Sequence, residues 1–199
     1  MQQLSFKNRI ASHYIITTAL LIFVVFFVIY SIVKLSVYNH LNTDIAKEVK
    51  NHLNEIGIKN NTFYLMHARE WEEREHNTVD VNPVFIQFLD KNGDVIEKSP
   101  NLKNEVLYFN KDIPNNELFD TKILGNKIRQ IQVPIFEGSK IIGYLIIAMS
   151  LEGALIVLQN LEEILIIAYP LILIVLFFIA RFIAEIGRAS CRERVFNHV

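Results

Sequence analysis

The chain has 199 residues, 51% of them apolar, and 20 Lys and Arg against 21 Asp and Glu leave a net charge of −1. That length holds one modest globular domain beside any long apolar runs, and no basic stripe interleaves with aromatics, which excludes a nucleic-acid binder. The single cysteine, Cys191, excludes an intramolecular disulfide, so a domain outside the cell must be held by its core alone.

Residues 1–13 carry Lys7 and Arg9 and no acid. Residues 14–33 then form an almost unbroken apolar run, with Thr17, Thr18 and Ser31 as its polar breaks. A helix needs roughly 20 such residues to cross a hydrocarbon core, and the run does not alternate faces as a soluble helix would. Residues 14–36 therefore read as a first transmembrane helix. The run exceeds the apolar region of about 7–15 residues in a cleaved leader, and no small-x-small site follows it, so an uncleaved anchor is expected.

Next, Val37, Leu41, Ile45, Val49, Leu53 and Ile56 recur at spacings of three and four, one face of a helix that Gly57 is expected to end. The first span is thus expected to continue outward as a rod able to carry a displacement. The stretch from His67 to His76, with Glu70, Trp71 and Glu73 inside it, pairs His67 with Glu70 and Glu73 with His76 three residues apart. That spacing suits a metal on a helix, but the plainer reading is a salt-bridge-laced surface helix with Trp71 turned inward, and no metal is assigned. His13, His40 and His52 read as solvated positions on the rod or near a membrane edge, where a histidine could serve as a pH sensor.

From Pro83 the period changes to that of strands. Val84 to Leu89 is β-branched and aromatic, Asn92-Gly93 marks a turn, and Val95 to Lys98 returns as a hairpin. Residues 101–127 are polar, carry Pro114 and Gly125, and read as loop with short elements. Residues 128–136 and 140–149 form a second hairpin, joined at Glu137-Gly138-Ser139. In it Ile131, Val133 and Ile135 alternate with Gln130, Gln132 and Pro134, as in a half-buried strand, and Pro134 marks an edge or a bulge. Ser150 and Glu152 begin a helix whose Leu151, Leu155 and Leu158 share a face. It runs into a second charge-free stretch, residues 164–180, in which Pro170 predicts a kink. Between Asn39 and Glu163, 13 Lys and Arg against 19 Asp and Glu give −6, whereas basic residues flank the outer ends of both spans. Basic flanks stay inside, so both termini are expected in the cytoplasm and residues 37–163 outside.

The fold class read from this pattern is a membrane protein, two transmembrane helices flanking an α/β PAS-like extracytoplasmic domain with a small antiparallel sheet. The segments are a cytoplasmic N-terminus (1–13), transmembrane helix 1 (14–36), an extracytoplasmic sensor domain (37–163), transmembrane helix 2 (164–184) and a tail (185–199). No Gly-rich phosphate loop, nucleophile elbow or paired-carboxylate constellation appears, so no catalytic or cofactor-binding residue is assigned.

This layout, the end of the second span (Phe177-Phe178-Ile179-Ala180-Arg181-Phe182-Ile183-Ala184), and the stretches Trp71-Glu72-Glu73-Arg74-Glu75, Asn82-Pro83-Val84-Phe85 and Ile128-Arg129-Gln130-Ile131-Gln132-Val133-Pro134 resemble one family. They are similar to the N-terminal sensor half of bacterial membrane sensor histidine kinases of the Bacteroidetes type, over residues 4 to about 184. The resemblance implies an inner-membrane homodimer, periplasmic stimulus detection, and output through a HAMP linker, a phosphorylated histidine and a core using ATP and Mg, read by a response regulator. Those output parts do not follow; Glu185 to Val195 instead resembles an artefactual tail on gene fragments, and His198 lacks the helix of a phosphoacceptor. Within that implied function, transmission is assigned to Val37, Leu41, Ile45 and Val49 on the rod, with Pro170 in the second span. The same input half could serve a chemoreceptor or a diguanylate cyclase, and a non-enzymatic envelope scaffold is the further alternative.

Overall fold

A computed structural model describes residues 6–59, 62–65, 83–123 and 125–196. The chain divides into two compact units, Leu35–Val157 and the helical segments before and after it. Helix α1 (Phe6–Asn54) is one helix of 49 residues, and α2 (Glu152–Phe196) one of 45 with Pro170 inside it.

In the first unit, β1 (Ile56–Lys59) and β2 (Thr62–Leu65) form an antiparallel pair. The helix therefore ends at Asn54, and Gly57 is not its stop: it sits in β1 opposite Tyr64, whose ring fills the space a side chain there would need. Ile56 likewise leaves the helical face and is buried from a strand. The five remaining strands are β3 (Val84–Asp90), β4 (Val95–Lys98), β5 (Leu118–Ile123), β6 (Asn126–Glu137) and β7 (Lys140–Ser150). They form an antiparallel sheet ordered β4-β3-β7-β6-β5, so the first and last of the central strands, β3 and β7, are neighbours. Both expected hairpins are present. Strand β5, within the stretch read as loop, is an addition: its sequence Leu-Phe-Asp-Thr-Lys-Ile is too polar to announce itself, and its pairing with β6 supplies the order.

The β3–β4 connection spans residues 91–94, in which only Gly93, at φ 102°, takes the left-handed region. Asp90 makes this turn. Its Oδ1 accepts the N–H groups of Asn92 and Gly93 at 2.8 Å and of Asp94 at 2.9 Å, the self-bonding that suits Asp to turns. These bonds, Asp94 foremost, hold its carboxyl below the usual carboxylate range. At the β6–β7 turn Gly138 has φ 63° and leads the two-residue loop.

Strands β3, β7 and β6 are buried on both faces, which corrects the half-buried reading of β6: Gln130, Gln132 and Pro134 are covered as fully as Ile131, Val133 and Ile135. One face joins Val84, Ile86, Phe88, Leu145, Ile147, Val133 and Ile135 to Ile45 of α1 and Phe63 of β2, with Leu41 and Val49 packed against them. The other gathers Phe85, Leu89, Tyr144, Ile146 and Ala148 with Leu102, Leu107 and Phe109 of the long connection before β5. Three glutamines fasten that connection. Gln87 accepts the Leu107 N–H at 2.7 Å, Gln130 donates to Tyr108 O at 2.6 Å, and Gln132 donates to Asn110 O at 3.1 Å. Buried amide N–H groups are tolerable only when paired, and the loop carbonyls accept those of Gln130 and Gln132. Pro134 sits where expected: Gln132 O faces outward to accept the Asn116 N–H, and two residues on the proline's missing N–H faces the same way, past the last β5 pair at Leu118–Ile131.

The second unit holds the apolar segments of α1 and α2, both long and apolar enough to cross a membrane. Leu20, Leu21, Phe27, Ile167 and Phe178 are each 63–68% exposed, so these segments do not form a soluble core. Thr17, Thr18 and Ser31, the polar breaks, turn their hydroxyls onto carbonyls of their own helix, at His13, Tyr14 and Phe27.

Gly143 of β7 tests the sheet's packing. A methyl group there would meet the Leu89 carbonyl of β3 and the Phe63 ring, and the backbone on one side cannot yield. Gly143→Ala should cost roughly 1–3 kcal/mol, the usual penalty of overpacking. Urea unfolding of the detergent-solubilised chain measures it, and an unchanged midpoint would contradict this packing.

Candidate functional site

Leu41, Ile45 and Val49 lie at i, i+4 and i+8 on α1 and meet the same sheet face, with Ile45 fully buried. Val37, one turn earlier, lines a shallow groove with His40, Asp44, Met149, Gly153 and Ala154. The four rod residues thus form one continuous stripe toward the sheet and the start of α2. Pro170 belongs to the other unit and is not brought together with them.

A junction that the sequence did not announce sits beside this stripe. Arg129 of β6 points its guanidinium at three partners. Its Nε donates to Asn42 Oδ1 on α1 at 2.6 Å, a terminal nitrogen pairs with Asp120 of β5, and the group lies 5.2 Å from the ring centre of Tyr38 on α1. Asp120 and Arg129 are direct cross-strand partners, an arrangement that stabilises opposite charges. A planar fork with several fixed donors can satisfy a carboxylate, an amide and a ring at once, which lysine cannot do. Two residues back along β6, the Lys127 carbonyl accepts the Leu151 N–H at 2.9 Å, and Ser150 Oγ accepts the Glu152 N–H at 3.1 Å where α2 starts. The beginning of β6 is therefore bonded to α1 through side chains and to the start of α2 through backbone. Arg129 looked like one residue in an alternating strand, because its partners are 87 and 9 positions away.

The histidines separate. His40 is exposed and lies 3.6 Å from Asp44. His52, expected to be solvated, is instead fully buried, with Glu48 at 3.7 Å and Glu55 at 3.9 Å. The cluster from His67 to His76, including Trp71, lies outside the described residues. Among the described residues no group of three or more His, Cys, Asp or Glu is placed to hold a metal. The arrangement bonds the start of β6 to α1 and to the start of α2. No protein-family model matches the chain, and no curated protein matches it.

If Arg129 joins α1 to β6 as a unit, Asn42→Ala and Arg129→Ala will not add. A double-mutant cycle read from thermal unfolding in detergent should give a coupling of about 1 kcal/mol. Additive effects would mean that the pair is a surface contact without consequence.

Proposed function

We propose that this chain is the signal-input region of a membrane sensor of the histidine-kinase type, crossing a bilayer at the apolar segments of α1 and α2. The observation that carries the reading is the continuity of α1: one helix has a charge-free apolar half and a half whose Leu41, Ile45 and Val49 form a wall of the sheet's core. A change in the sheet then acts directly on a helix that enters the membrane. Basic flanks at Lys7, Arg9 and Arg181 favour cytoplasmic termini and a periplasmic Leu35–Val157 unit at the inner membrane. An antiparallel sheet with β3 and β7 adjacent at its centre and a long connection over one face supports the PAS-like reading.

The receptor would act as a two-fold dimer, the usual symmetry of homo-oligomers. A stimulus favouring one arrangement of the sheet shifts a two-state balance, and a swing from 1:99 to 99:1 asks about 5.5 kcal/mol of differential binding. Leu41, Ile45 and Val49 receive the displacement, Val37 passes it toward the span, and Pro170 gives the second span a point of bending. The kinase core joined to such a region would supply ATP and Mg chemistry and phosphorylate a response regulator.

Three measurements test this reading, the first two on a Cys191→Ser background. In intact cells, a membrane-impermeant maleimide should label a cysteine at Lys91 and spare one at Lys7; the reverse pattern overturns the topology. In membranes, disulfide crosslinking should peak at positions 39, 43, 46 and 50, the exposed side of the rod, and be absent at 41, 45 and 49; a flat profile rules out paired rods. Residues 1–184 fused in frame to a characterised kinase core should give Ile45→Ala a basal autophosphorylation changed roughly tenfold, the effect of a 1.4 kcal/mol bias. The same output for Ile45→Ala and Lys47→Ala would sink the transmission role.

A further inference from the structure

The two apolar segments enclose a groove of about 410 Å³, lined by Phe23, Phe26, Phe27 and Tyr30 of α1 and Glu162, Leu165, Ile166 and Tyr169 of α2. On each helix these residues stand at i, i+3, i+4 and i+7, so each helix gives one whole face to the groove. Every aromatic residue between positions 15 and 37 is among them. Tyr169 sets the floor: its ring meets Phe23 and Phe26 edge-on at 6.4 and 6.2 Å, and its hydroxyl donates to Ala19 O at 3.3 Å. The chain's own side chains do not fill the space, since Phe27 and Ile166 on its rim are each 64% exposed.

Residues that merely anchor a helix at an interface are spread around it and send their polar tips to the headgroups. Here the rings converge between two helices, and the Tyr169 hydroxyl is spent on a backbone carbonyl. The single charge in the lining is the Glu162 carboxylate, one turn beyond Leu165 and Ile166; among the described residues no Lys or Arg lines the groove. Aromatic faces attract cations, and an acid at the mouth adds to that attraction while repelling anions. The volume falls in the range of about 300–1,000 Å³ typical of small-molecule sites.

We propose that this groove binds a hydrophobic organic cation, with its charge near Glu162 and its apolar body along the ring wall between α1 and α2. The charge complementarity selects this occupant over a lipid tail, which needs no carboxylate, and over a phosphate headgroup, which Glu162 would repel. Binding in detergent requires neither a bilayer nor a kinase core, so this inference and the signalling reading can fail separately.

Equilibrium binding of radiolabelled tetraphenylphosphonium to the full chain in a neutral detergent provides the test, with tetraphenylborate as the anion of nearly equal shape. The cation should bind saturably, one per groove, and the anion should not. Glu162→Gln should weaken cation binding tenfold or more, whereas Glu163→Gln, whose side chain does not line the groove, should leave it unchanged. Phe27→Ala should also weaken it, and Phe178→Ala, an exposed ring elsewhere on α2, should not. Equal binding of both ions, equal binding by Glu162→Gln, or no saturable binding because a second copy fills the groove would each overturn the proposal.

Discussion

Everything in the Leu35–Val157 unit follows from one constraint: the strands β3, β7 and β6 are apolar on both sides and must be covered twice. Phe88, Ile86, Leu145 and Ile147 on one face, and Phe85, Leu89 and Ile146 on the other, are all essentially removed from water. At about 25 cal/mol per Å² of apolar surface, leaving either face bare would forfeit many kcal/mol. One cover is α1 with the β1–β2 pair; the other is the connection that runs from the 3₁₀ turn at Pro100–Leu102 to β5. The two covers differ in kind. The helix sets Leu41, Ile45 and Val49 against the sheet, while the irregular connection has carbonyls that need donors, which Gln130 and Gln132 supply from within the sheet. Alternating glutamines in β6 are thus the counterpart of a loop cover, not the mark of a solvated face.

The helix cover is the one with consequences beyond the domain. Because Ile45 belongs to the sheet's core and to α1, the helix cannot change its position on the sheet without repacking that core. Arg129 reinforces the bond at the end of the stripe nearer the apolar segment, and the Lys127 carbonyl holds the start of α2 to the same few residues of β6. Interior packing is as dense as an organic crystal and transmits strain instead of absorbing it. The start of β6 is therefore bonded to both helices at once.

Much of this was legible in the sequence where physics is local. The two apolar runs, the hairpin after Asn92-Gly93, the edge position of Pro134 and the Ser150 hydroxyl at the start of α2 depend on neighbours a few residues away. The failures occurred where distant partners decide. Gly57 reads as a helix stop, but Tyr64 makes it a strand residue. His52 looks solvated on a helical wheel, yet the fold buries it fully. Strand β5 lies in a polar stretch and is fixed by its pairing along the edge of β6. The Arg129 junction required α1, β5 and β6 to be placed before it could be seen. No sequence signal marked the groove between the apolar segments, because it depends on which faces of α1 and α2 meet.

The same core sets how far α1 can move in a receptor of the proposed kind. Leu41, Ile45 and Val49 repeat at about one turn, 5.4 Å, so a full-turn slip would set Leu41 where Ile45 sits, whereas a half-turn slip would leave that site without an apolar side chain. Fully burying one such side chain is worth about 1.5–3 kcal/mol, a large share of the roughly 5.5 kcal/mol of differential binding that a decisive switch requires. A rotation or tilt that keeps Ile45 seated while re-aiming the polar side, with Asn39, Thr43 and Lys50, costs far less. Arg129 suits such a motion, because a guanidinium over the Tyr38 ring can pivot while keeping its bond to Asp120. The packing thus favours small rotations of α1 about a fixed contact over a piston stroke of half a turn.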